Sequence, residues 1–154
     1  MSWKTGKYAD PILPEGDAVM TIMKLTMEEA SGGTPYGMVT ARIDAYLGTY
    51  DVDDETILDP DGQTIWGKVW LPKSEDSNKK VLGKEQRCRA FLEVLQHAGA
   101  VLEAGEDDAP SDVLAKNLAE YKGKSFKASI SHSVDESGEY PTRAEINFFR
   151  VKRA

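Results

Sequence analysis

The chain has one cysteine, two histidines and no apolar run long enough to cross a bilayer, and each shortage removes a class of protein. A lone thiol at Cys88 forms no intrachain disulfide, which fits a reducing compartment. A spanning helix needs about 20 consecutive apolar residues, and none occurs, so no membrane partner is expected. The polar start from Met1 to Lys7 lacks the apolar middle region of a secretory signal, and a cytoplasmic protein is the expectation. His97 and His132 lie far apart, and a single cysteine cannot complete a closed zinc set, so neither metal nor cofactor is expected. His97 reads as a surface residue compensating a helix dipole. Catalytic motifs are missing too: there is no Gly-Xaa-Ser-Xaa-Gly elbow and no phosphate-cradling glycine loop. Ser129, Ser131 and His132 come nearest to a nucleophile and base. Strand alternation puts His132 on the face away from both serines, which leaves it a core or rim position and makes an enzyme the weakest class.

Charge of one sign is also scarce where it would matter most. The net charge is −7, which by itself opposes a nucleic-acid partner. The acidity is local, however. Residues 51–61 hold six acids and no base, and residues 101–120 hold six acids and one base. Without those twelve acids and that base, 18 basic residues face 14 acidic ones, a balance of +4. A basic groove elsewhere is therefore compatible with the composition. The acidic loop Asp51-Val52-Asp53-Asp54-Glu55, followed by Asp59-Pro60-Asp61-Gly62, lacks the ordered ligand spacing of a calcium loop and reads as a solvated acidic loop.

At 154 residues the chain is long enough to bury a core without staples, and it reads as one domain over 15–154 behind an extended lead-in at 1–14. Apolar residues at 19, 20, 22, 23, 25 and 27 alternate on either side of a phase slip, which predicts a long, bent first strand with a bulge over 17–28. The turn Ser31-Gly32-Gly33-Thr34-Pro35 precedes the cleanest alternation in the chain, a second strand over 36–48. Val39, Ala41, Ile43, Ala45 and Leu47 face one way; Met38, Thr40, Arg42, Asp44 and Tyr46 face the other. Helical spacing of Val81, Leu82, Cys88, Phe91, Leu92 and Leu95 predicts a helix over 84–98 stopped at Gly99. A second, short helix over 111–121 takes Ser111 as its cap. Strands over 125–133 and 142–151 close the pattern as an antiparallel pair.

The third strand, 64–71, carries the most information. Ile65, Gly67, Val69 and Leu71 share one face, and Thr64, Trp66, Lys68 and Trp70 share the other. Two indoles flanking an ammonium on an exposed face make a platform on which bases stack while a cation meets phosphate. The alternative is that a helix or second sheet covers this face and both tryptophans are core.

Three strands, a helical insertion and two more strands is the order of a mainly β, α+β fold: a five-stranded OB-like Greek-key barrel with its helices between strands three and four. The rival is an open antiparallel sheet with a helix pair packed on one face. From about Leu13 to Val151 the chain resembles the small OB-fold single-stranded DNA-binding proteins, and their uncharacterised relatives, encoded by tailed bacteriophages. The resemblance rests on Leu13-Pro14-Glu15-Gly16-Asp17, Ile65-Trp66-Gly67-Lys68-Val69-Trp70-Leu71-Pro72, Arg89-Ala90-Phe91-Leu92 and Tyr121-Lys122-Gly123-Lys124-Ser125-Phe126. It implies a protein that coats single-stranded DNA during phage replication or recombination in the host cytoplasm, with replication or recombination proteins as partners. Such proteins often carry an acidic tail that recruits those partners; here Phe149-Arg150-Val151-Lys152-Arg153 is basic, and the internal acidic segments are left for that role.

On the usual OB groove, formed by strands two and three, the expected binding residues are Arg42, Tyr46, Trp66, Lys68 and Trp70, with Lys127 and Arg143 on the far wall. A different class uses the same side chains: a structural or adaptor module of a phage whose tryptophan face meets protein, where Trp, Tyr and Arg also concentrate.

Overall fold

The computed structural model describes residues 10–139 and 141–154, so most of the expected lead-in, residues 1–9, lies outside the described residues. Five strands and two helices follow in the expected order. They are β1 (Gly16–Glu29), β2 (Pro35–Tyr46), β3 (Thr64–Trp70), α1 (Asn78–His97), α2 (Pro110–Lys116), β4 (Ser125–Ser133) and β5 (Arg143–Lys152). A 3-10 turn, Leu118–Glu120, links α2 to β4.

All neighbouring strands are antiparallel, in the order β3-β2-β1-β4-β5. The central strand β1 is shared. Ala18 to Glu29 pairs with β2, whereas only Gly16 to Thr21 pairs with β4. The phase slip in its sequence is a real bulge: the register against β2 shifts between Ile22 and Lys24, leaving Met23 and Lys24 both exposed. An extra residue there bends β1 and lets it peel away from β4. No hydrogen-bonded ladder joins β3 to β5 among the described residues, so the sheet is open rather than a closed barrel.

Side chains seal what hydrogen bonds leave open. Gly67 faces β5 so closely that a Cβ on it would lie 2.6 Å from Ile146 Cβ and 2.7 Å from Phe148 Cε2. Behind this contact the inward residues of all five strands share one core with α1, which contributes Cys88, Phe91, Leu92 and Leu95. Phe91 lies 5.5 Å from Phe126 and 5.0 Å from Phe148, ring centre to ring centre, and these aromatics fill the middle of the core. Burial in that setting pushes the Cys88 thiol up to about 12, so it is an inert packing residue.

Helix α1 begins six residues earlier than its apolar spacing indicates. Ser77 caps it by accepting a hydrogen bond from the Lys80 amide at 3.3 Å. The first residues of the helix, Asn78-Lys79-Lys80, are polar and carry no apolar spacing; Leu82, read as apolar stripe, is exposed. The stripe position is filled instead by Lys84, a buried cation. Its ammonium donates to the Leu71 carbonyl at 3.1 Å and to Asp76 Oδ2 at 2.7 Å, fastening α1 to the end of β3. Ser111 is not the cap of α2, which starts at Pro110; its amide and hydroxyl both donate to Glu85 at 2.8 Å and tie α2 to α1. Leu47, placed by alternation on the inward face, lies past the end of β2 and is exposed.

Two expectations follow. Gly67→Ala forces β3 away from Ile146 and Phe148, and overpacking of this kind costs about 1–3 kcal/mol. At this chain length that is a Tm decrease of roughly 2–12 °C, and an unchanged melting curve would disprove the close contact.

The second concerns Asp76, whose carboxyl is held below its ordinary range, first by the Lys84 ammonium and then by the Lys73 amide. A carboxyl depressed on folding stabilises the fold fully above its unfolded pKa, near 3.9, and that stability disappears as pH falls through the folded value. Lys84→Met should therefore melt several degrees lower at neutral pH and show a shallower loss between neutral and acid pH. Adding Asp76→Leu should restore most of the melting temperature, because the stranded buried carboxylate is removed. Equal stability of Lys84→Met and the parent at neutral pH would contradict this.

Candidate nucleic-acid interface

Alternation along β2 and β3 sends every second side chain to the outer face, and the register decides which ones meet. Trp70 lies opposite Tyr36, Lys68 opposite Met38, Trp66 opposite Thr40, and Thr64 opposite Arg42. Among the described residues no helix covers this face over the tryptophans: Trp66 is 54% exposed and Trp70 39%. The inward partners Ile65 and Val69 are buried, as alternation requires.

The tightest grouping contains a residue that the sequence reading did not select. The Tyr36 and Trp70 rings are 5.1 Å apart, centre to centre. The Lys68 ammonium sits 5.0 Å from the Tyr36 ring centre and 5.4 Å from that of Trp70. Each ring offers its negative face to the cation, which holds the three side chains together while leaving them accessible. Tyr36 has the same parity as Met38 and Thr40, so alternation could have found it; its position opposite Trp70 needed the register.

The bulge in β1 supplies a second missed residue. Simple alternation from the buried Ile22 would turn Lys24 inward. The register shift instead sets Lys24 opposite Thr40, which lies opposite Trp66 on its other side. Lys24 is exposed and forms no ion pair among the described residues. Lys24, Thr40 and Trp66 thus form one row across three strands, with the buried Thr40 hydroxyl lacking a hydrogen-bond partner among the described residues.

Other expected residues have different surroundings. Arg42 Nε donates to Asp44 Oδ1 at 2.9 Å, so its charge is offset, and Asp44 is further held by the Thr21 hydroxyl. Tyr46 lies beyond the β2–β3 ladder. Its hydroxyl donates to the Glu15 carbonyl, its ring fills the space beside Gly16 and Gly48, and partial burial raises its pKa. It braces a turn and is not part of the stack. Lys127 lies on β4, opposite Val19 and Lys152, with β1 and β2 between it and β3. Arg143, at the start of β5, does meet the tryptophan strand: it lines a groove of about 350 Å³ together with Lys68 and Trp70.

The acids are occupied locally. Asp51, Asp54 and Asp59 accept hydrogen bonds from amides two residues ahead, and Asp61 accepts one from the Tyr46 amide at 3.1 Å. This places the 51–61 loop at the Tyr46 end of β2, roughly 30 Å of strand away from Tyr36. In the second acidic segment Asp108 pairs with Lys116, and Asn117 bonds the backbone of Glu103 in both directions. His132 Nε2 lies 2.7 Å from the Leu13 carbonyl oxygen, while the Ser129 hydroxyl donates to Asp17 and the Ser131 hydroxyl accepts from Asn147. These three side chains have separate partners and no shared geometry for nucleophilic chemistry. Among the described residues no three His, Cys, Asp or Glu side chains converge as metal ligands.

The arrangement can hold flat, apolar-faced groups against exposed rings while neutralising an adjacent anion. In sequence the chain matches no protein-family model and no curated protein, so the chemistry of this face has to be read from its own residues.

Proposed function

We propose that the protein binds single-stranded DNA without strong sequence preference on the outer face of β2 and β3, in phage replication or recombination. The observation that carries this reading is the cluster of half-buried Tyr36 and Lys68 with exposed Trp70, and exposed Trp66 along the same strand. Every base has a π face, so stacking on such rings tolerates any sequence. Lys24, Lys68 and Arg143 are the cations positioned for phosphates; Arg42, paired with Asp44, contributes less. The strand order, with β1 shared between two halves and β3 brought against β5 at Gly67, supports an OB-like barrel left open along one seam. Acids at the far end of β2 leave the platform free of like-charge repulsion and are available to basic surfaces of replication or recombination proteins.

Titration with oligo-dT should quench tryptophan fluorescence. Trp66→Ala, Trp70→Ala and Tyr36→Ala should each weaken binding by about 1–3 kcal/mol, while Tyr46→Phe should leave affinity unchanged. Wild-type affinity in all three alanine variants would remove the platform.

Salt provides a separate check. Each phosphate neutralised on a single strand contributes a log–log slope of about −0.7. Three cations should give a slope near −2 by that rule, flattened by about 0.7 in Lys24→Ala. No binding to any single strand at low salt would defeat the DNA reading and favour the adaptor role, in which the same face meets a protein.

A further inference from the structure

The seam between β3 and β5 is more than a gap in the hydrogen-bond ladder. Beyond the contact at Gly67 it opens into the groove of about 350 Å³ that Arg143 shares with Lys68 and Trp70. That volume lies in the range of small-ligand sites, about 300–1,000 Å³. Its opposite wall carries a second cation–aromatic pair. The Arg87 guanidinium of α1 lies 4.8 Å from the ring centre of Phe149 on β5, and Phe149 is 73% exposed. Phe149 therefore presents ring surface to solvent at the edge of the groove. A guanidinium held over a ring keeps N–H groups at its edge for an anion.

Charge points the same way. Lys68, Arg87 and Arg143 line the groove against a single carboxylate, Glu145, and none of the three forms an ion pair among the described residues. On a chain of net charge −7, three unpaired cations around one concavity mark a place for an anion. The groove is flanked by an exposed ring on each side, Trp70 and Phe149, so the fitting anion also carries flat apolar faces. A single-stranded polynucleotide has both; a duplex, with its bases already stacked, does not present them.

We propose that this groove is a second nucleotide subsite. A strand leaving the β2–β3 face passes over the edge of β3, stacks a base on Phe149 and places phosphate against Arg87 and Arg143. The assignment rests on the single-strand reading above and extends it to α1 and β5, elements outside that face.

The test uses the full chain with two oligonucleotides, dT4 and dT12. Phe149→Ala should weaken dT12 binding about 5–150-fold, the fold equivalent of losing one stacked base, and leave dT4 unchanged. Arg87→Ala should flatten the dT12 salt slope by about 0.7 and leave that of dT4 unchanged. Ultraviolet irradiation of a dT12 analogue carrying 5-bromouracil should yield an adduct at Phe149. Phe149 is exposed, so its variant should melt with the parent; if Phe149→Ala melts early, the Arg87→Ala slope and the adduct decide. Seam variants that bind dT12 as the parent does, while Trp66→Ala weakens it, overturn the subsite and leave the β2–β3 face intact. Equal losses on dT4 and dT12 overturn it too, because the groove would then belong to the first contact. Absence of any binding by the parent removes both proposals together.

Discussion

The curl of the sheet depends on one close contact, between Gly67 on β3 and the Ile146–Phe148 stretch of β5. The two edge strands of a five-stranded sheet come together there without sharing a ladder, and only a residue without a Cβ allows it. The bend that brings the edges together comes from the bulge in β1, and the enclosed volume is filled by Phe91, Phe126 and Phe148. Open edges are ordinarily a liability, because unpaired backbone groups invite another strand. Here the seam is covered on the inside by α1 and lined on the outside by charged side chains, both of which discourage strand addition.

Two kinds of electrostatic arrangement serve different ends. The Lys84–Asp76 pair is buried, with side chains only 6% and 3% exposed, and it joins α1 to the strand that bears the tryptophans. Such a pair contributes little net stability over an apolar substitute, but a single missing partner leaves an uncompensated charge. Its effect is therefore to specify where α1 sits, and with it the position of Arg87. Lys24 and Lys68 on the outer face form no ion pair among the described residues, and Asp51, Asp54, Asp59 and Asp61 accept from nearby amides while Asp108 pairs with Lys116. An overall negative charge thus coexists with a locally positive strip.

The strip also explains why aromatic rings remain outside a well-packed core. Tyr36 and Trp70 stabilise one another and hold Lys68 between them, so their exposure costs less than that of isolated rings. A preformed cluster of this kind has little side-chain freedom left to lose when a ligand arrives. The Arg87–Phe149 pair repeats the arrangement on the other side of the seam.

The five strands were legible because half-buried strands alternate with period two, and this chain's apolar residues keep that period from Val39 to Ile43 and from Ile65 to Leu71. The bulge was legible as a phase slip, and the outward set Trp66, Lys68 and Trp70 followed from the same alternation. What alternation cannot supply is which residue lies beside which across strands, since a ladder's register depends on turns and bulges elsewhere. Tyr36 joined the cluster, and Lys24 the tryptophan row, only through that register. Arg42 and Tyr46 were on the expected face, yet Asp44 and the Glu15 carbonyl had already engaged them, contacts set by side-chain rotamers and by a segment more than 25 residues away. The first residues of α1, Asn78-Lys79-Lys80, are polar, and Leu82, counted with the apolar stripe, is exposed, so neither the start of that helix nor the burial of Lys84 could be read from periodicity. Sequence alone thus determined the elements and their faces, because local periodicity encodes burial. Tertiary structure decided the neighbours, the open seam and the groove, because those depend on how distant strands meet.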